Sequence, residues 1–98
     1  MKNLNLDKIS HLFKVISDPT RIKILYALNK GELTVSEITS TLNMHQSAIS
    51  HQLKVLRDAD LVRTRREKKY IYYMIADNHV YEIFNQAIEH VLEEKTNE

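Results

Sequence analysis

Apolar residues recur along this chain with two different periods, and the change of period divides it. Leu6, Ile9, Leu12, Phe13 and Ile16 keep helical spacing and predict a first helix over residues 5–17. Asp18-Pro19 marks a break and a restart, with Asp18 able to cap and Pro19 suited to a first helical position. The second helix runs to about Asn29, with Ile22, Leu25, Tyr26 and Leu28 expected inward and Gly31 in the left-handed position past its end. Thr34-Val35-Ser36-Glu37 matches a capping box and opens a short third helix carrying Val35, Ile38 and Leu42. After a turn at Asn43-Met44-His45, Ile49, Leu53 and Leu56 define a fourth helix; His45 stands where a good cap would be Ser, Thr or Asp.

Beyond Asp60 the pattern becomes β-branched and aromatic. Leu61–Arg65 and Tyr70–Ile75 read as strands around a basic tip, a hairpin over residues 61–75 whose tip lacks glycine. A last helix over about 78–94 carries Val80, Ile83, Phe84, Ala87 and Val91 on one side, and residues 95–98 are expected to fray. The reading is one domain, mainly α with a β-hairpin wing. Residues 34–58 form a helix-turn-helix beside that wing, so the fold class is a winged helix-turn-helix.

The outer face of the fourth helix carries Gln46, Ser47, Ser50, His51 and Lys54 beside the small Ala48. A merely solvated face is usually rich in Glu and Lys. Short hydrogen-bonding side chains with a small neighbour instead suit the reading of base edges. The net charge of +1 hides an uneven distribution. Between Leu61 and Tyr70 lie Arg63, Arg65, Arg66, Lys68 and Lys69 against Glu67 alone, whereas Asp77 to Glu98 holds six acids and one base. Beside a reading helix, the basic tip can grip phosphates or enter the minor groove. With no cysteine, thiolate metal sites, disulfides and thiol redox sensing are excluded. No apolar run approaches a membrane span and the first residues lack a signal-peptide core, so no membrane contact and a cytoplasmic location are expected. There is no credible nucleophile-and-base set and no phosphate loop, which argues against an enzyme.

Asp77, His79, His90 and Glu93 raise the question of a metal. At 100° per residue His90 lies about 20° from the line of His79, and Glu93 shares the strip. Eleven residues of helix separate the two histidines by roughly 16 Å, beyond the reach of one ion. A second copy running antiparallel brings Asp77 and His79 of one subunit to the other's His90 and Glu93, twice in a two-fold dimer. Two imidazoles and two carboxylates with no open position make a binding site rather than a catalytic one, suiting Zn(II) first and Co(II) or Ni(II) next. The same residues also admit a plainer reading: Asp77 as an N-cap, the histidines as interface residues and Glu93 as a solvated acid. His11, His45 and His51 show no ligand spacing with one another.

The segments Asp18–Leu25 and Gln46–Leu56, with the hairpin ending in Tyr70-Ile71-Tyr72-Tyr73, resemble the ArsR/SmtB family of winged-helix metal-sensing repressors over nearly the whole chain. The resemblance implies DNA contact by Ser47, Ser50 and His51 with Gln46 close by, and dimerisation through the first and last helices. The family's zinc sensors carry Asp-x-His, ten residues, then His-x-x-His or Glu; Asp77-Asn78-His79, ten residues, His90-Val91-Leu92-Glu93 matches throughout. The segment in which other members hold cysteines reads Thr34-Val35-Ser36-Glu37 here. The implied function is a homodimeric repressor whose apo form binds an inverted repeat in double-stranded operator DNA. Zn(II) releases it, with control of zinc efflux or sequestration genes. The alternatives are a regulator of the same fold with no metal response, and a sequence-blind architectural protein.

Overall fold

The computed structural model of the protein describes residues 4–96. Helices α1 (Leu6–Ile16) and α2 (Pro19–Leu28) are followed by a short strand β1 (Leu33–Thr34). Helices α3 (Val35–Leu42) and α4 (Gln46–Asp58) lead into strands β2 (Val62–Glu67) and β3 (Tyr70–Ile75), and the long helix α5 (Asn78–Thr96) completes the described chain. The sheet is antiparallel in the order β1-β3-β2. The pair Leu33–Thr34 is too short to show alternation, so the hairpin's third strand was not foreseen. It forms because Leu33 and Thr34 pair with Tyr73 and Tyr72.

Local chemistry sets the helix ends. Asn5 Oδ1 accepts from the Lys8 amide at 3.1 Å, and Asp18 does the same for Arg21 with Pro19 in the first turn of α2. The capping box is complete: the Glu37 amide donates to Thr34 Oγ1, and the Thr34 amide donates to Glu37 Oε1. Asn43 closes α3 in the left-handed conformation at φ 53°. Past α2 the closing bond is Gly31 N–H to the Leu28 carbonyl. Gly31 itself sits at φ 145°, a backbone value that L side chains rarely adopt, although no neighbour would crowd a Cβ there. As expected, His45 makes no side-chain capping bond to α4.

The core centres on Ile24, Leu25, Leu28, Ile38, Ile49, Leu53, Leu56 and Leu61, all essentially solvent-free. Three parts of the apolar reading are corrected within the single chain. In α1 the stripe splits: Leu6, Ile9 and Phe13 are exposed, Phe13 by 55%, Leu12 and Ile16 pack half-buried against the core, and Val15 is the buried residue. In α2 Ile22 and Tyr26 are exposed, and Ile24 and Ala27 take their places inside. In α5 Val80 and Phe84 are buried, but Ile83, Ala87 and Val91 are not. Helix α5 runs to Thr96 rather than 94, and the rest of the expected fraying, at residues 97–98, lies outside the described residues. Several of the displaced apolar residues are gathered: Ile22, Tyr26, Ala87 and Val91 border an open apolar groove of about 640 Å³, with Leu42 and Phe84 also lining it.

Helix α5 is moored to the rest of the domain by polar contacts as well as by its buried residues. Tyr81 Oη donates to the Asn29 carbonyl at 2.7 Å, and the Asn29 and Asn85 amides bond to each other. Asn29 is the C-cap of α2, so these contacts place one end of the reading scaffold against the middle of α5.

Candidate nucleic-acid interface and metal ligands

Helices α3 and α4 meet across the tight turn that Asn43 permits, and burial of Ile38, Ile49, Leu53 and Leu56 locks them together. This fixes which side of α4 faces out. Gln46, Ser47, Ala48, Ser50, His51 and Lys54 are all exposed, as their spacing predicts. Lys54 Nζ is paired with Asp58 at 2.9 Å, both side chains being well exposed. Such a pair is worth only about 0.3–0.5 kcal/mol, which leaves Lys54 free to exchange Asp58 for a phosphate. The face thus presents hydroxyl, amide and imidazole groups over a close-approaching Ala48, flanked by a cation. That set can hydrogen-bond base edges and anchor to the backbone.

The hairpin carries its cations in two environments. Glu67 pairs with Tyr70, so Lys68 and Lys69 form the turn, with Lys68 at φ 57° in place of glycine. Strand alternation puts Arg63 and Arg65 on one face and Arg66 on the other. Arg63, Arg66, Lys68 and Lys69 are exposed, and Lys69 Nζ lies 5.5 Å from the centre of the Tyr70 ring. Arg65, one of the cations expected to grip phosphate, is exposed and engaged within the chain. Its Nε donates to Glu32 Oε2 at 2.8 Å, its Nη2 to Glu32 Oε1 and its Nη1 to Glu67 Oε1 at 3.0 Å. The guanidinium also lies 4.5 Å from the centre of the Tyr72 ring. Arg65 therefore ties the wing to the segment before β1, and its hydrogen bond holds the Glu32 carboxyl below the ordinary 4.5. Nothing in the sequence flagged Glu32, because the contact spans 33 positions and exists only once β1 joins the sheet.

The four candidate metal ligands fall at the two ends of α5. Asp77 Oδ1 caps the helix by accepting from the Val80 amide at 3.0 Å, and it also lies 3.5 Å from His79 Nδ1. His79 is 90% exposed and Asp77 about half exposed at its side chain. His90 and Glu93 are exposed near the other end, roughly 16 Å further along the helix. The structure brings Asp77 and His79 together. Among the described residues it gathers no group of three or more His, Cys, Asp or Glu that could hold an ion. Chemically the donors fit a divalent cation: two imidazoles and two carboxylates, accessible and able to balance its charge.

Comparison with known proteins agrees with this geometry. Residues 18–64 match the model of the bacterial regulatory protein, arsR family. The chain is 35% identical over 86 residues to a transcriptional repressor SmtB homolog of Synechocystis sp., covering 88% of this chain and 65% of that one. It is 34% identical over 83 residues to a cadmium resistance transcriptional regulatory protein, a CadC homolog of Staphylococcus aureus, covering 84% of this chain and 69% of that one. Its fold superposes with a TM-score of 0.88 on the solution structure of a homodimeric winged helix-turn-helix DNA-binding domain from Mycobacterium bovis, at 27% identity and covering 100% of this chain and 96% of that one. Family match, identity and fold converge, and the chain belongs to the ArsR family of bacterial regulatory proteins.

Proposed function

We propose that the protein is a homodimeric, metal-responsive transcriptional repressor that holds an inverted repeat in its operator without metal and releases it when Zn(II) binds, Co(II) or Ni(II) being the other candidate ions. The observation that carries this reading is the division of the molecule into two outward faces. One is the hydrogen-bonding face of α4 beside a basic hairpin turn. The other is the apolar surface of α1 and α5, with paired donors at one end of α5 and two more near the other.

In this reading α1 and α5 join two copies, with residues 34–58 and 61–75 as the reading and wing units. Ser47, Ser50 and His51 meet base edges; Gln46, Lys54, Arg63, Arg66, Lys68 and Lys69 fix the backbone register. Arg65 joins them by exchanging Glu32 or Glu67 for a phosphate, and in free protein it ties the wing to the segment before β1. The metal ligands are Asp77 and His79 of one protomer with the partner subunit's His90 and the partner subunit's Glu93. When bound, a divalent ion supplies a closed cross-link between the two last helices. Release then reflects a difference in free energy between two dimer shapes, and DNA must weaken metal binding by the same factor. The name of the Synechocystis relative as a repressor, that of the staphylococcal one as a cadmium-resistance regulator and the homodimeric state of the mycobacterial domain support this reading.

The capping bond from the Val80 amide to Asp77 favours one rival, a regulator without a metal response in which Asp77 only starts the helix. The deciding test is fluorescence anisotropy on a labelled inverted repeat from upstream of the protein's own gene. Protein is titrated with chelator and then with one zinc equivalent per monomer at fixed salt. Weakening of about tenfold or more, 1.4 kcal/mol of coupling, supports the sensor. Unchanged specific binding supports the rival.

A further inference from the structure

Arg21 joins three helices at one point. Its backbone N–H donates to the capping carboxylate of Asp18 at 3.2 Å, its Nε donates to Gln52 Oε1 at 2.8 Å and its Nη1 donates to the Val15 carbonyl at 3.1 Å, all partly buried. Val15 lies in the last turn of α1, where carbonyls lack partners within the helix and a cation is favoured. Gln52 lies in the middle of α4, half-buried. At 100° per residue it is turned about 100° from His51 and about 140° from Ser47, so it stands on the flank of α4 between the core and the outward face.

The inner side of α4 rests on Ile49, Leu53 and Leu56, and apolar burial is non-directional. Packing of these side chains sets which side of the helix faces the core, and a directional contact on its flank adds a restraint on the remaining roll. A hydrogen bond to a flanking side chain resists roll, and the guanidinium is a planar fork whose N–H groups are fixed relative to one another. The same fork grips α1, the helix that carries exposed Leu6, Ile9 and Phe13.

We infer that Arg21, acting through Gln52, is a positioning residue for sequence reading: it sets the roll of α4 against the end of α1 and so the angle at which Ser47, Ser50 and His51 meet the groove. The inference rests on the proposed reading role of α4. It predicts that losing the Arg21–Gln52 bond lowers discrimination between operator and other DNA rather than affinity for DNA in general.

The test uses the full-length protein with Gln52→Met, which keeps length and removes the acceptor, and Gln52→Glu, which keeps an acceptor for Arg21. Binding is measured to the own-gene inverted repeat and to a scrambled duplex of equal length at the same salt. The ratio of the two affinities is expected to fall about tenfold in Gln52→Met and to stay within about twofold in Gln52→Glu. In free protein, hydrogen exchange of the α4 amides is expected to rise in Gln52→Met and to recover in Gln52→Glu. An unchanged ratio in Gln52→Met overturns the inference, whatever happens to thermal stability. Ser50→Ala and His51→Ala serve as controls: if they leave the ratio intact, the reading role of α4 fails, and the exchange experiment alone then decides the brace, unchanged exchange rejecting it.

Discussion

Asn29 and Asn85 hold each other by a reciprocal amide pair, Asn29 Nδ2 donating to Asn85 Oδ1 at 3.1 Å and Asn85 Nδ2 to Asn29 Oδ1 at 3.3 Å, across 56 positions of sequence. Asn85 Nδ2 also donates to the Tyr81 carbonyl, and the Tyr81 hydroxyl donates to the Asn29 carbonyl. The pair thus moors the middle of α5, between the two groups of candidate ligands, to the end of α2. Because each amide is partly buried, removing one leaves its partner short of a bond, at a cost of about 1–3 kcal/mol. Asn85→Ala is expected to lose that much in urea unfolding and Tyr81→Phe about 1 kcal/mol. Both are measured at one fixed protein concentration, because dimer stability depends on concentration.

Base and phosphate contacts leave different signatures. Ser50→Ala and His51→Ala should each weaken operator binding by about 1–3 kcal/mol and barely change binding to scrambled DNA. Lys68→Ala and Lys69→Ala should weaken both alike and, with two copies in the dimer, reduce the slope of log affinity against log salt by about 2 each. Anisotropy across a salt series separates the two patterns. Equal losses on both duplexes for the α4 variants would support the sequence-blind reading.

The metal reading predicts a specific loss. His79→Ala and His90→Ala should leave operator binding in chelator unchanged while removing the effect of zinc. Both sites are exposed, so large stability effects are not expected. Zinc release persisting in both variants would reject this ligand set.

The exposed apolar stripe predicts the oligomeric state. Phe13→Glu places a charge on the outward side of α1. In a two-fold interface the substitution acts twice, costing roughly 3–6 kcal/mol for two phenyl groups left unburied. Sedimentation velocity should then show a monomer at concentrations where the parent is dimeric, whereas an unchanged dimer would place the interface elsewhere.

The wing should respond to acid. Glu32 is held below its ordinary 4.5 by Arg65, so its pairing contributes above that value and is lost as pH falls through the lowered folded value. An NMR titration should show the Glu32 carboxyl and the Tyr72 ring changing together below pH 4.5, with Glu32→Gln abolishing the ring response. Titration of Glu32 at or above its ordinary value would remove the basis for this prediction.

How much of this was legible in sequence depends on the range of the physics. Helix starts at Asp18 and Thr34, the turn at Asn43, the weak cap at His45 and the outward face of α4 follow from residues within a few positions of one another. Capping, φ preference and helical period act at that range, so the amino-acid order determined them. The spacing of Asp77, His79, His90 and Glu93 was equally readable, and it places the two pairs too far apart along one helix to share an ion. The burial of Val15 and Ile24 in place of Phe13, Ile22 and Tyr26, the third strand, the Arg65–Glu32 tie and the moorings at Arg21 and Asn29 were decided only by tertiary structure. Periodicity shows that a helix has an apolar side but not which body that side meets. A bond between residues 31 or 56 positions apart leaves no local signature, because it exists only where packing brings the helices together.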